Sequence, residues 1–198
     1  LVDRDGKLWL GTRGGGVIRQ YDGGFAAVTI ENGLKCNEIW ALAESGDGTV
    51  WVGTRRGLNR ITTSQMPSAS KPDQGRGAGS PQMKISTVDL TESTICPFIK
   101  TLMEDHLGRI WVGTGGGGMV LVQKRGNRFE TEFKGLAGEK ISHIYQDRGG
   151  AIWVGTLDKG LIKLYNGKFT RYDISNGLSC NNIDHIMEDR AGNLWVGT

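Results

Sequence analysis

Trp-Val-Gly-Thr at Trp51–Thr54 recurs at Trp111–Thr114, Trp153–Thr156 and Trp195–Thr198, and once as Trp-Leu-Gly-Thr at Trp9–Thr12. From Trp9 through Trp51, Trp111, Trp153 and Trp195 the spacing is 42 residues three times and 60 once. One unit is therefore copied along the chain, and the copy after Trp51 carries about 18 extra residues.

Outward from the motif, each copy reads as four short strands. Strand A is clearest at Ile183–Glu188, followed by the Asp- and Gly-rich turn Asp189–Asn193 and strand B at Leu194–Thr198. In the preceding copy, strand C is Gly160–Tyr165, Asn166-Gly167 supplies the positive-φ pair of a tight hairpin, and strand D is Phe169–Asp173. A four-stranded meander is too thin to bury its own apolar faces, so copies must stack face to face. Radial stacking of such sheets is the β-propeller, an all-β fold of four-stranded antiparallel blades. β-Helical solenoids have shorter periods and parallel strands. The motif tryptophans are expected in the cores between blades.

The blades fall at about residues 1–34, 35–94, 95–136, 137–178 and 179–198. Blade one has strands B, C and D, with only Leu1 and Val2 left of strand A and Asp22-Gly23 as its hairpin turn. In blade two the extra residues form a C–D loop over 64–81, rich in Ser, Pro, Gly, Lys and Gln, a composition that supports no packed core. Strand D then resumes around 85–90. Blade five has strands A and B alone. About 17 strands result, against the 28 of seven full blades, so an incomplete open arc of four to five blades is expected. The alternative is a four-bladed ring in which Ile183–Glu188 pairs with Leu8–Thr12; it leaves the strand at Leu194–Thr198 without a place. Exposed terminal faces predict self-association. The chain reads as a fragment whose targeting and output segments lie elsewhere.

Composition narrows the function. There are 32 glycines in 198 residues, in register with the motif, which argues for turns rather than disorder. A net charge of +3 with no basic run interleaved with aromatics gives no sign of nucleic-acid binding. No apolar run is long enough to span a bilayer, so no membrane contact is expected of this segment. Cys36, Cys96 and Cys180 occupy one repeat position, too far apart for a disulfide, and are expected as free, partly buried thiols.

Asn176–Ile183 followed by Met187–Thr198 resembles the two-component regulator propeller repeat, and Asn32–Thr54 and Met103–Thr114 resemble it too. The resemblance covers nearly the whole chain except 64–81. It implies a periplasmic or extracellular sensor module of a histidine kinase, hybrid regulator or diguanylate cyclase, with no enzymatic activity or cofactor in this segment. Its implied partners are a small-molecule or oligosaccharide ligand, the missing blades and output domain of the same protein, and a second copy in a homodimer.

In a meander the B–C and D–A loops share one side of the disc, and the D–A loop opens onto the central channel. Positions that vary between copies there are the candidate ligand-binding residues: Arg13, Arg55, Arg56, Asp158 and Lys159 on B–C loops, and Asn37, Glu38, Phe98, Glu139, Lys140, Asn181 and Asn182 on D–A loops. Amides, charges and one aromatic suit a polar ligand such as a sugar. Asp3–Lys7 and Ser45–Thr49 resemble calcium loops but lack the closing glutamate, so they read as hairpin turns held by side-chain hydrogen bonds, and no metal site is expected. Gly113–Gly118 lacks the Gly-Lys-Ser/Thr of a phosphate loop. His143 and His185 sit one repeat apart on strand A, where Ala41 and Thr101 are their counterparts. They read as a packed pair; the competing reading is a general base or metal site, since streptogramin lyases are similar propellers with catalytic histidine and glutamate. Trp-Val-Gly-Thr departs from the Trp-Phe-Thr of those enzymes. A protein-interaction scaffold is the remaining alternative.

Overall fold

At each A–B turn one side chain organises the hairpin and seats the tryptophan. In the computed structural model, which describes residues 1–21, 24–63, 83–90, 96–126 and 128–198, Asp105 Oδ1 accepts the N–H groups of Leu107 and Arg109. Its Oδ2 accepts the Trp111 indole N–H at 2.8 Å. Asp3, Asp147 and Asp189 do the same for Trp9, Trp153 and Trp195, and Ser45 Oγ takes the place of the carboxylate for Trp51. The turns are thus the side-chain-bonded hairpins that their sequences predict.

These hairpins build five antiparallel sheets in chain order. Blade one is β1 (Trp9–Gly11), β2 (Val17–Tyr21) and β3 (Gly24–Val28); blade two is β4 (Ile39–Glu44), β5 (Val50–Thr54), β6 (Gly57–Thr63) and β7 (Met83–Val88). Blade three is β8 (Ile99–Glu104), β9 (Ile110–Thr114), β10 (Met119–Arg125) and β11 (Arg128–Phe133). Blade four is β12 (Ile141–Gln146), β13 (Ile152–Thr156), β14 (Leu161–Tyr165) and β15 (Lys168–Tyr172), and blade five is β16 (His185–Glu188) with β17 (Leu194–Gly197). Strands β4, β8, β12 and β16 lie side by side at the inner edge. Val2 bridges to Leu8, a remnant of strand A in blade one. Among the described residues β1 pairs only with β2, and β16 only with β17, so the sheets form an open arc rather than a ring.

Consecutive sheets enclose separate cores, centred on Trp9 with Ile39, Trp51 with Ile99, and Trp111 with Ile141. The glycine of the motif makes this approach possible. A Cβ on Gly113 would stand 2.6 Å from Ile141 Cγ2 and 2.5 Å from Thr101 Cγ2, so any side chain there would push the next blade away. A second device joins neighbours at the turn end. The residue closing strand A reaches back to a backbone N–H in the preceding A–B turn: Glu44 to Arg4, Glu104 to Gly46, Gln146 to His106 and Glu188 to Arg148.

Several sequence expectations are corrected. Trp9, Trp51 and Trp111 are buried, but Trp153 is half-buried, because the sheet over it has two strands among the described residues, and Trp195 is 62% exposed, because no described sheet packs over the last blade. Cys36 and Cys96 are partly buried free thiols, whereas Cys180 is exposed. The outer strand of blade two runs over Met83–Val88, two residues ahead of its expected position at 85–90. The expected C–D loop at 64–81 and the Asp22-Gly23 turn lie outside the described residues.

Candidate functional site

The ends of the strands opposite the A–B turns carry a different feature. Between Ile39 and Ala41, Ile99 and Thr101, and Ile141 and His143, the ladder from strand A to strand B slips by one residue. A bulge of this kind takes one side chain out of the alternation and re-aims it. The extra residues are Trp40, Lys100 and Ser142, which have nothing in common chemically.

Trp40 is the centre of a cluster drawn from three blades. The Phe98 and Trp40 rings meet edge to face with their centroids 5.0 Å apart. The Arg13 guanidinium lies over the indole at 5.0 Å. Glu38 Oε1 accepts the Trp40 indole N–H at 3.2 Å and an Arg55 N–H at 3.5 Å. Gly115 permits the arrangement, since a Cβ there would fall 2.5 Å from Phe98 Cδ1. Arg13, Glu38, Arg55 and Phe98 therefore come together, and Arg56 is exposed on the same B–C turn as Arg55.

A second group joins blades four and five. Arg171 on β15 pairs with Glu139 and donates to the Lys159 carbonyl at 2.6 Å. Glu139 Oε2, Ser142 Oγ and Asn182 Oδ1 are buried and meet no hydrogen-bond partner among the described residues. Lys140, Asp158 and Lys159 are exposed. Asn37 and Asn181 are differently employed: Oδ1 of each accepts the first N–H of a short 3-10 turn, from Ile30 at 2.8 Å and Ile174 at 3.0 Å. Their side-chain oxygens hold the D–A loops in shape.

The histidines lie on neighbouring inner strands, with ring centroids 4.2 Å apart. His143 Nδ1 accepts the Ile186 N–H at 3.2 Å, which fixes the neutral tautomer protonated at Nε2. Burial, with the charge on His185 adding to it, pushes His143 down to about 4. Among the described residues no third His, Cys, Asp or Glu gathers with them in metal-binding geometry.

Sequence reasoning missed Trp40, Ser142 and Arg171. Trp40 was within reach, because it is the one tryptophan outside the repeated motif, at a position where the other copies have Lys100, Ser142 and Asp184. Arg171 had no such signal, since an outer-strand arginine reads as solvated surface.

The family model described as two component regulator propeller matches residues 33–56, 95–116, 135–158 and 177–198. Among solved structures, the chain resembles the extracellular domain of a protein described as a hybrid two component system from B. thetaiotaomicron, at 24% identity and a TM-score of 0.72 over 97% of this chain. A second such domain from that organism aligns at 23% identity, with a TM-score of 0.73 over 98% of the chain. This chain spans only 25% of the length of either. Virginiamycin B lyase from Staphylococcus aureus shares the fold at 18% identity and a TM-score of 0.67, over 99% of this chain and 61% of the lyase. No curated protein matches the chain in sequence.

Proposed function

Because the chain belongs to the two component regulator propellers, we propose that it forms part of an extracytoplasmic sensor of a two-component signalling protein, without catalytic activity of its own. The loop side that carries the strand-A bulges binds a polar small molecule or oligosaccharide. One observation carries this reading: the Trp40–Phe98 pair flanked by Arg13, Glu38 and Arg55 offers an apolar platform beside charged donors and acceptors. Polar ligands with a flat apolar face need that pairing. The unpartnered oxygens of Glu139, Ser142 and Asn182 support it from the neighbouring blades. The output domain, the remaining blades and a homodimer of the complete protein belong to the same proposal.

Thermal-shift screening against a panel of oligosaccharides tests it. A subset of the panel is expected to raise Tm without being consumed, and Trp40→Ala or Phe98→Ala is expected to remove that shift. A shift that survives both substitutions would move the site elsewhere. Turnover of a cyclic depsipeptide, abolished by His143→Ala, would favour the lyase reading; none is expected, since His143 Nδ1 already accepts the Ile186 N–H.

A further inference from the structure

Between blades two and three the outer part of the interface is closed by an aromatic ring. Phe129, the second residue of strand D in blade three, stands edge-on to Trp51 with centroids 5.2 Å apart, and Arg60 lies 4.5 Å over its face. Phe169 is its counterpart in blade four, in the same register against strand C. It does not close the next interface. Its ring lies toward Gly135, where it would contact an added Cβ at 3.5 Å, and it stays 40% exposed. The space that the counterpart ring fills one interface earlier is here an open groove of about 430 Å³.

Trp111, Ile152, Leu164 and Phe169 line the groove, with Arg109 and Lys134 at its margin. Its volume lies within the range of about 300–1,000 Å³ typical of small-molecule sites. Arg109 directs Nε and Nη2 to Asp105 Oδ2, and its guanidinium carries further N–H donors at Nη1. Lys134 pairs with Glu132 at the surface and has three donors to share. The walls therefore ask for a ring and the margin for an anion. We infer that this groove between blades three and four is a binding site for a small aromatic carboxylate of one or two rings, which occupies the place that Phe129 takes between blades two and three. Of the bulge-side loops only Lys134, at the start of the D–A connection after β11, reaches it, and none of the residues of the site proposed above lines it, so the two sites can be tested separately.

Isothermal titration and saturation-transfer NMR with phenylacetate and indole-3-acetate test the inference on the full chain. Saturable binding is expected for both acids, with the ring protons most strongly saturated. Benzyl alcohol and cyclohexylacetate should bind more weakly, since each lacks one of the two features. Lys134→Gln, which keeps most of the side-chain length and removes the charge, is expected to weaken binding by about tenfold through loss of a charge-assisted hydrogen bond. Leu164→Trp should fill the groove and abolish binding, while Trp40→Ala should leave it unchanged. The inference is overturned by the absence of saturation up to about 10 mM, by equal binding of the alcohol, or by affinity that Lys134→Gln leaves intact.

Discussion

At the A–B turns every blade repeats one arrangement, in which a carboxylate or hydroxyl holds the indole of its own blade. A glutamate or glutamine from each following blade clasps the turn before it. At the opposite ends of the same strands the backbone bulge recurs but its side chain does not: it carries Trp40, Lys100 or Ser142, and the loops around it are differently charged. The contrast separates two tasks. Stacking identical sheets requires the same contacts at each interface, so residues there cannot vary independently. Loops beyond the last shared contact are released from that requirement, and recognition can be built on them at little cost to the stack.

The sharpest way to break the comparison is at the tryptophans. Trp51→Ala is expected to cost about 3–5 kcal/mol by emptying a closed core. Trp195→Ala, at a ring 62% exposed, should cost less than about 1 kcal/mol. Urea unfolding of the two variants measures the difference, and equal losses would erase the distinction between inner and terminal blades.

The glycines give the next test. Gly113→Ala should cost about 1–3 kcal/mol by forcing Ile141 and Thr101 aside. Gly197→Ala should fall within about 0.5 kcal/mol of the parent, because the nearest atom to an added Cβ there, in His185, is 3.8 Å away. At Asp105 burial raises the carboxyl's pKa, but hydrogen bonds from Arg109 and Trp111 outweigh it and hold the group below its ordinary value. Asp105→Ala leaves the buried Trp111 indole N–H without its acceptor, at about 1–3 kcal/mol. A cost near zero would show that the turn, rather than the carboxylate, positions the indole.

A smaller effect separates the histidine pair from its counterparts. His143 is pushed from an ordinary 6.5 to about 4 in the folded chain, so between those values the unfolded state binds the proton and the folded state does not. Stability is therefore fully present above about 6.5, falls as pH drops toward about 4, and gains no further loss from this group below that. His143→Thr, which copies Thr101 of blade three, should flatten the profile in that window. Urea midpoints collected from pH 7.5 to 4 decide it; an unchanged slope would assign the acid sensitivity elsewhere. Smallest of all, Arg55→Ala should shift stability by no more than about 0.5 kcal/mol, since an exposed ion pair contributes little, and Arg13→Ala by no more than about 1 kcal/mol, the size of an exposed cation–π contact. Larger losses would place these loops with the scaffold.

The Asp-to-indole bond could be read in part from the chain, because acid, turn and tryptophan are local and repeat together. The glutamate or glutamine one residue before that turn residue was equally visible as a repeated letter, yet its partner is a backbone N–H 40 or 58 residues upstream, and no sequence spacing marks which blade it faces. The same reason hid the phenylalanines. Phe129 and Phe169 follow the same hairpin in the same register, and nothing in either strand tells that one ring closes an interface and the other leaves it open.

The sequence by itself determined the repeat, the four-stranded blade, the order of blades and the side of the disc on which residues vary. Each follows from hydrophobic periodicity, turn chemistry and copying, which act over a few residues at a time. Tertiary structure alone decided which variable residues meet. Trp40 joins Phe98 and Arg13 only because a bulge turns it out of the ladder and three blades converge there. Asn37 and Asn181 hold loop backbone because the chain returns within reach of their side chains. Such contacts join residues remote in sequence, and their geometry is set by how whole sheets pack rather than by any local preference of the chain.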